Sequence, residues 1–314
     1  MHFRDRSLVL AIIGILLLAV GVTAALLGPV EMYCFYLFSE GGRFHYEGFG
    51  FGSFMFGNIA GQIIGYYAVA TLCIPLGYGH FRVRRWARTL SLALLWFWLV
   101  VGMPLAIVFF FILVASKDLT PAAVVIAVIS LALSYLAAPG LLIRFYQGRN
   151  VRLTFETKDP KSYGIEKLPL PVLVLSALYL FYAVVLHLPI FFNGIFPFFG
   201  VFLFGLSGIV LLDVSIALLV CIAWGTLKSR AWAWWGALIY FGLMTCSSIF
   251  TFLRSSYADI LSGLRFPPTE MEFLDGVPLR GYHLAAFFGI PLLATLGAIV
   301  LSKRHFRTKD RPAP

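Results

Sequence analysis

The chain has 314 residues, of which 61% are hydrophobic and only 12% charged, and its mean hydropathy is +0.91. A soluble domain is nearer half apolar and a quarter charged, so this composition excludes an ordinary soluble enzyme and points to repeated membrane crossings. The net charge of +10 suits nucleic acid or anionic lipid equally until the charges are placed along the chain.

The first apolar run, from Ser7 to Val30, follows a basic start and has a small-residue site near Ala24, as a secretory signal would. It is longer than a usual signal core and long enough to span a bilayer, so it reads as a retained first helix. Gly14, Gly21 and Gly28, spaced by seven, give it a helix-packing track. The connection that follows, about 31–53, alternates glycine and phenylalanine in "EGGRFHYEGFGFGSF". It lacks the lysine of a phosphate-cradling loop, and no strand pattern precedes it. Interfacial packing is the expected role.

The second span, about 54–77, carries Asn58, Gln62 and Tyr66 at four-residue intervals, which places them on one stripe of a helix. Beside them Gly57, Gly61 and Gly65 form a small-xxx-small track that lets another helix approach closely. Next comes "GHFRVRRWARTL", with Arg82, Arg84, Arg85 and Arg88 around Trp86. It sits between the second span and the third, at 88–115. That makes it a short loop attracting anionic headgroups rather than a nucleic-acid surface, which would need a soluble basic domain.

The fourth span covers 121–143, and residues 145–168 then form a linker of mixed charge. A solvated tether is the plain reading of that linker, with headgroup binding as the alternative. Further spans are expected at 171–191, 204–226, 231–253 and 283–302, which makes eight. All are continuously apolar rather than alternating, so helices are required and not a barrel.

Asp213, in "GIVLLDVSIALLV", is the one carboxylate well inside a span. It lies about 18 Å from the Gly225 end at ~1.5 Å per residue, near the middle of a ~30 Å core. No Lys or Arg in the spans can pair with it, so it is either protonated and hydrogen-bonded as a structural residue, or it faces a polar cavity as a functional one. Asn58, Gln62, Tyr66 and Tyr67 are the polar groups expected to share an interior site with it. The same stripe also reads as a packing seam with amide glue.

The arginine loop returns 146 residues later as "GTLKSRAWAWWGAL", with Lys228 and Arg230 in the places of Arg82 and Arg84. Seven of 32 positions from Gly61 to Leu92 are identical at this shift, and Tyr67 aligns with Asp213. Each half has four spans, a basic loop between its second and third, and a basic exit. The fold expected is therefore all-α and polytopic, with eight transmembrane helices in two tandem parallel four-helix repeats. The repeats are 1–145 and 169–314, joined by 146–168, and a near-180° rotation about the membrane normal is expected to relate them.

The last outer connection, 254–282, holds Glu270, Glu272 and Asp275 in an arrangement unlike an EF-hand loop, so a solvated acidic loop is expected. Cys34, Cys73, Cys221 and Cys246 form no CxxC or metal-ligand spacing. His187 and His283 fall near outer span ends, where a haem pair is imaginable but interfacial placement is simpler. Pro75, Pro104, Pro139, Pro189, Pro197 and Pro291 lie in or near spans and can interrupt helices. No HExxH, GxSxG or paired-acid motif occurs, so neither catalysis, a metal nor a cofactor is expected.

Nineteen of the 24 Lys and Arg fall on the side that holds both termini. Positive-inside bias makes that side cytoplasmic and the bilayer a cell membrane. Arg82, Arg84, Arg85, Arg88, Lys228 and Arg230 are its expected headgroup contacts. The functional expectation is a structural or accessory component of a membrane assembly, with a membrane-protein partner or a homo-oligomer. Two alternatives stay open: a small-solute or ion permease using Asp213, and a lipid-modifying membrane enzyme.

Overall fold

A computed structural model describes residues 3–39, 41–115, 120–275 and 280–306; Lys117 and the basic residues from Arg307 onward lie outside them. Over these residues the chain is all-helical but for one small hairpin, and eight of the helical segments are long and apolar enough to cross a membrane. It is a multi-pass membrane protein. The first three segments are α1 (Ser7–Phe38), α2 (Phe54–Phe81) and α3 (Arg85–Ala115). The fourth joins α4 (Pro121–Ala132) to α5 (Ala138–Gln147) through a π turn, Leu133–Ala137. Pro139 explains the turn: its ring would strike the carbonyl four residues back, and the wider coil avoids that contact. Tyr135 in the turn stacks on Trp98 of α3.

After α6 (Arg149–Lys158) comes the fifth segment, α7 (Leu170–Val185), which breaks at Leu186 into the short α8 (His187–Phe191) around Pro189. Strands β1 (Phe196–Phe198) and β2 (Val201–Leu203) form an antiparallel hairpin that the apolar pattern did not foretell. The chain closes with α9 (Gly205–Leu227), α10 (Ala231–Arg254), the short α11 (Tyr257–Leu264) and α12 (Pro268–Asp275), and α13 (Gly281–Leu301).

The tightest contact joins α1 to α2, and glycine makes it possible. A Cβ on Gly14 would lie 2.8 Å from the Gly77 carbonyl oxygen, and one on Gly21 would lie 2.9 Å from the Ile74 nitrogen. Tyr67 covers Gly28. In lipid, where apolar burial drives little, such backbone proximity supplies the dispersion that holds a helix pair. The main core gathers α3, α7, α9, α10 and α13 around Leu178, Tyr179, Leu219, Phe241 and Ile299, each fully buried.

The linker is no tether. Helix α6 buries Val151, Thr154 and Phe155 against a second cluster that contains Leu10, Leu92, Ile143 and Tyr146. Beneath it, buried His80 places Nδ1 2.8 Å from the Leu76 carbonyl oxygen while its Nε2 accepts the Tyr146 hydroxyl at 2.7 Å. Arg6 N–H donates to the Thr154 hydroxyl, tying the start of α1 to the same lid. The amphipathic pattern of 149–158, short enough to pass as mixed charge, carried this information.

The two basic turns share one geometry. After α2, the Val83 N–H donates to the His80 carbonyl and the Arg84 N–H to Gly79; after α9, Ser229 donates to Thr226 and Arg230 to Gly225. Val83 and Ser229 both take positive φ, 49° and 50°. Gly79 lies under Trp86 and Ala87, and Gly225 under Trp232 and Ala233. One turn further, Arg88 Nε donates to the Tyr146 carbonyl and Trp234 Nε1 to the Ile299 carbonyl. Between the halves the contact is one-sided. Helix α3 packs on α7 and α13, whereas its counterpart α10 packs on α9, α13 and β1. A two-fold rotation would require α10 to pack on α1 and α5 to a like extent, so the expected 180° relation does not describe how the halves meet.

These contacts predict opposite outcomes at two glycines. Gly14→Val drives side-chain atoms into the backbone of α2 and should destabilise the protein by about 1–3 kcal/mol. Gly65→Ala meets open space on an exposed helix position and should be neutral or raise stability by up to ~1 kcal/mol. Thermal unfolding in detergent, followed by size-exclusion fluorescence, reads both.

Candidate functional site

Asp213 is the one charged-type side chain of helix α9. Its inward positions Leu212, Ser215, Leu219 and Ile222 are buried, facing the core with α7 and α10. Val210, Asp213, Val214, Ala217, Cys221 and Trp224 recur at three- and four-residue steps and are all exposed. Asp213 stands about 12 Å from the Gly205 end of the helix and about 21 Å from the Leu227 end. Among the described residues nothing hydrogen-bonds or ion-pairs with it. The expected inward-facing carboxyl is in fact outward-facing.

Its expected partners are elsewhere. Asn58 is exposed, and Gln62 and Tyr66 are half-buried on the outer side of α2. Gly57 lies beneath the Phe192 ring and Gly61 beneath Leu188, so their track seats the chain at and just after α8 rather than another spanning helix; Gly65 meets nothing. Tyr67 lies on α1. Helix α2 buries Gly57, Ala60, Ala70 and Gly77, and that choice leaves Asn58 exposed and Gln62 and Tyr66 half-buried. The interior site of Asp213, Asn58, Gln62, Tyr66 and Tyr67 is not assembled.

Hydroxyls occupy the interior instead. Tyr182 Oη and Thr295 Oγ1 lie 3.0 Å apart, and the Thr295 hydroxyl also reaches the Pro291 carbonyl one turn back. Tyr179, fully buried, packs at a tilt against Phe241, and its hydroxyl has no partner among the described residues. The spacing of Tyr179 and Tyr182 on the fifth span was the available signal for this seam.

At the loop end, Glu270 accepts the N–H groups of Phe54 at 2.7 Å and Met55 at 2.9 Å, while Ser53 Oγ accepts from Phe56. The first three orphan donors of α2 are thereby satisfied, with a carboxylate at the positive end of the helix dipole. Glu270 is 4% exposed, so the acidic connection is not simply solvated. Burial, reinforced by the adjoining Glu270 carboxylate, pushes the Tyr46 phenol above its usual range. A cavity of about 600 Å³ opens beside this cap, lined by Glu47, Phe51, Asn193, Arg265 and Thr269 among others. Asp213 does not line it. His187 and His283 are each engaged locally, with the Ala183 carbonyl and the Arg280 N–H.

At the basic end, Arg84 pairs with the buried Asp159 at 3.4 Å and Arg85 with Glu166 at 2.9 Å. Asp159 also accepts the Arg85 N–H and so caps α3 as Glu270 caps α2. With Arg88 on the Tyr146 carbonyl, three of the six expected headgroup contacts hold the protein together. Arg82, Lys228 and Arg230 are exposed.

Two carboxylates therefore separate cleanly by variant. Glu270→Ala leaves two helix-terminal donors unpaired and should cost about 1–3 kcal/mol. Asp213→Leu breaks nothing within the chain, and a monomer in detergent should stay within about 0.5 kcal/mol of the parent. Equal losses for both, in the same thermal assay, would contradict this placement. Compared with protein-family models, curated proteins and solved structures, the chain has no match.

Proposed function

We propose that this protein is a non-enzymatic structural or accessory component of a membrane assembly and that the outward face of α9 is its contact surface. One observation carries the reading: Asp213 points away from its own chain at mid-span, where hydrocarbon offers no hydrogen bond. Intramembrane carboxyls are costly and are almost always paired or face a bundle interior. The complement to Asp213 then belongs to another polypeptide. A permease would bring Asp213 to an interior polar path, and the hydroxyl seam and the loop-end cavity are both formed without it.

The basic side is cytoplasmic in this reading, since Arg82, Lys228 and Arg230 remain exposed there to meet anionic headgroups. The matched turns at Gly79 and Gly225, with the matched bonds of Arg88 and Trp234, support descent from a duplicated four-span unit. The two copies now pack asymmetrically.

Two measurements test this. Cysteine labelling in intact cells should leave residues 80–85, 150–165 and 228–230 unmodified by an impermeant reagent; outside labelling of 150–165 would overturn the orientation. Native mass spectrometry from lipid particles should give a species heavier than one chain for the parent. It should give the single-chain mass for Asp213→Leu. A parent at single-chain mass would refute the accessory reading.

A further inference from the structure

Resting on the reading of α9 as a contact surface, the partner itself can be argued from the chemistry of Asp213. A carboxylic acid is both donor and acceptor, so a second carboxyl at equal depth satisfies it completely. Two copies inserted in the same sense and related by an axis along the membrane normal place every residue opposite its own equivalent depth. No cationic side chain of the spans meets that need at this depth. The cationic side chains of the spans, Arg85, Arg88, Arg144 and Arg254, all lie at span ends, as do His80, His187 and His283.

We infer that the exposed α9 face pairs with the same face of a second copy, the two Asp213 carboxyls sharing a proton across the axis. Two like charges at that distance repel, so the contact between the copies is an O–H···O hydrogen bond. The surrounding surface suits close approach. Ala217 follows Asp213 by one turn, Val210 and Val214 flank it at 49% and 58% exposure, and Cys221 lies two turns along the same face. The inward side of α9 is already committed to α7 and α10, so self-pairing disturbs no contact within the chain.

Single-cysteine chains test this in native membranes under copper-phenanthroline oxidation, in a background where the other native cysteines are replaced by serine. Val214→Cys, Ala217→Cys and the native Cys221 should each give a dimer-sized adduct, whereas Ile126→Cys on the exposed face of α4 should not. Asp213→Leu should lower the α9 adducts about tenfold, the effect of losing one good intramembrane hydrogen bond. Asp213→Asn should retain them, because a carboxamide is also its own complement. Absent α9 adducts, adducts equal to those at Ile126, or adducts indifferent to Asp213→Leu would each overturn self-pairing. If self-adducts are absent but the parent still runs heavier than one chain in an Asp213-dependent manner, the accessory reading survives with a different partner. If neither signal depends on Asp213, both fail.

Discussion

Hydrocarbon cannot accept or donate a hydrogen bond, and that constraint shapes this molecule from end to end. Several polar groups in the spans answer it within the chain: His80 with Leu76 and Tyr146, Tyr182 with Thr295, Trp234 with the Ile299 carbonyl. Helix ends answer it with carboxylates brought from far away in sequence. Glu270 reaches α2 from the last outer connection, and Asp159 reaches α3 from the linker. Asp213, exposed at mid-span, finds no partner among the described residues.

The same constraint explains how the halves are held. Apolar contact between helices gains little over contact with lipid tails, so close backbone approach and buried caps have to do more. Glycines bring α1 against α2, and the lid α6 closes over their basic end through Phe155 and Val151. Glu270 links the second half to the first, since its carboxylate cannot leave without exposing two helix-terminal donors. The two matched turns show what similar local sequence produces, namely the glycine under a tryptophan and the left-handed residue before the next helix. Packing beyond the two turns differs, and there the correspondence stops.

Much of this was legible from residue order. Continuous apolar length marked all eight spans, because the bilayer core sets one thickness for every crossing. The seven-residue glycine spacing on α1 marked its seam with α2. What escaped was direction. A helix rotated by one residue turns a given side chain through about 100°, and two stripes of similar polarity on one helix do not declare which faces inward. Thus the glycine face of α2 went in and the amide stripe out, while Asp213 went out although burial was expected of it. Glu270 was missed for another reason, since its contacts cross more than two hundred residues, whereas the α6 lid was written in a ten-residue amphipathic pattern that passed for mixed charge.

The claim on which the account turns is that the Asp213 face of α9 is covered in the bilayer. Oxygen accessibility of spin labels, placed singly at Val210 and Ala217 in reconstituted membranes, measures that cover directly. Protein contact predicts values well below those at Ile126 on α4, with a rise to the Ile126 level when Asp213→Leu is introduced. Lipid-level accessibility at Val210 and Ala217 in the otherwise unaltered chain would contradict it.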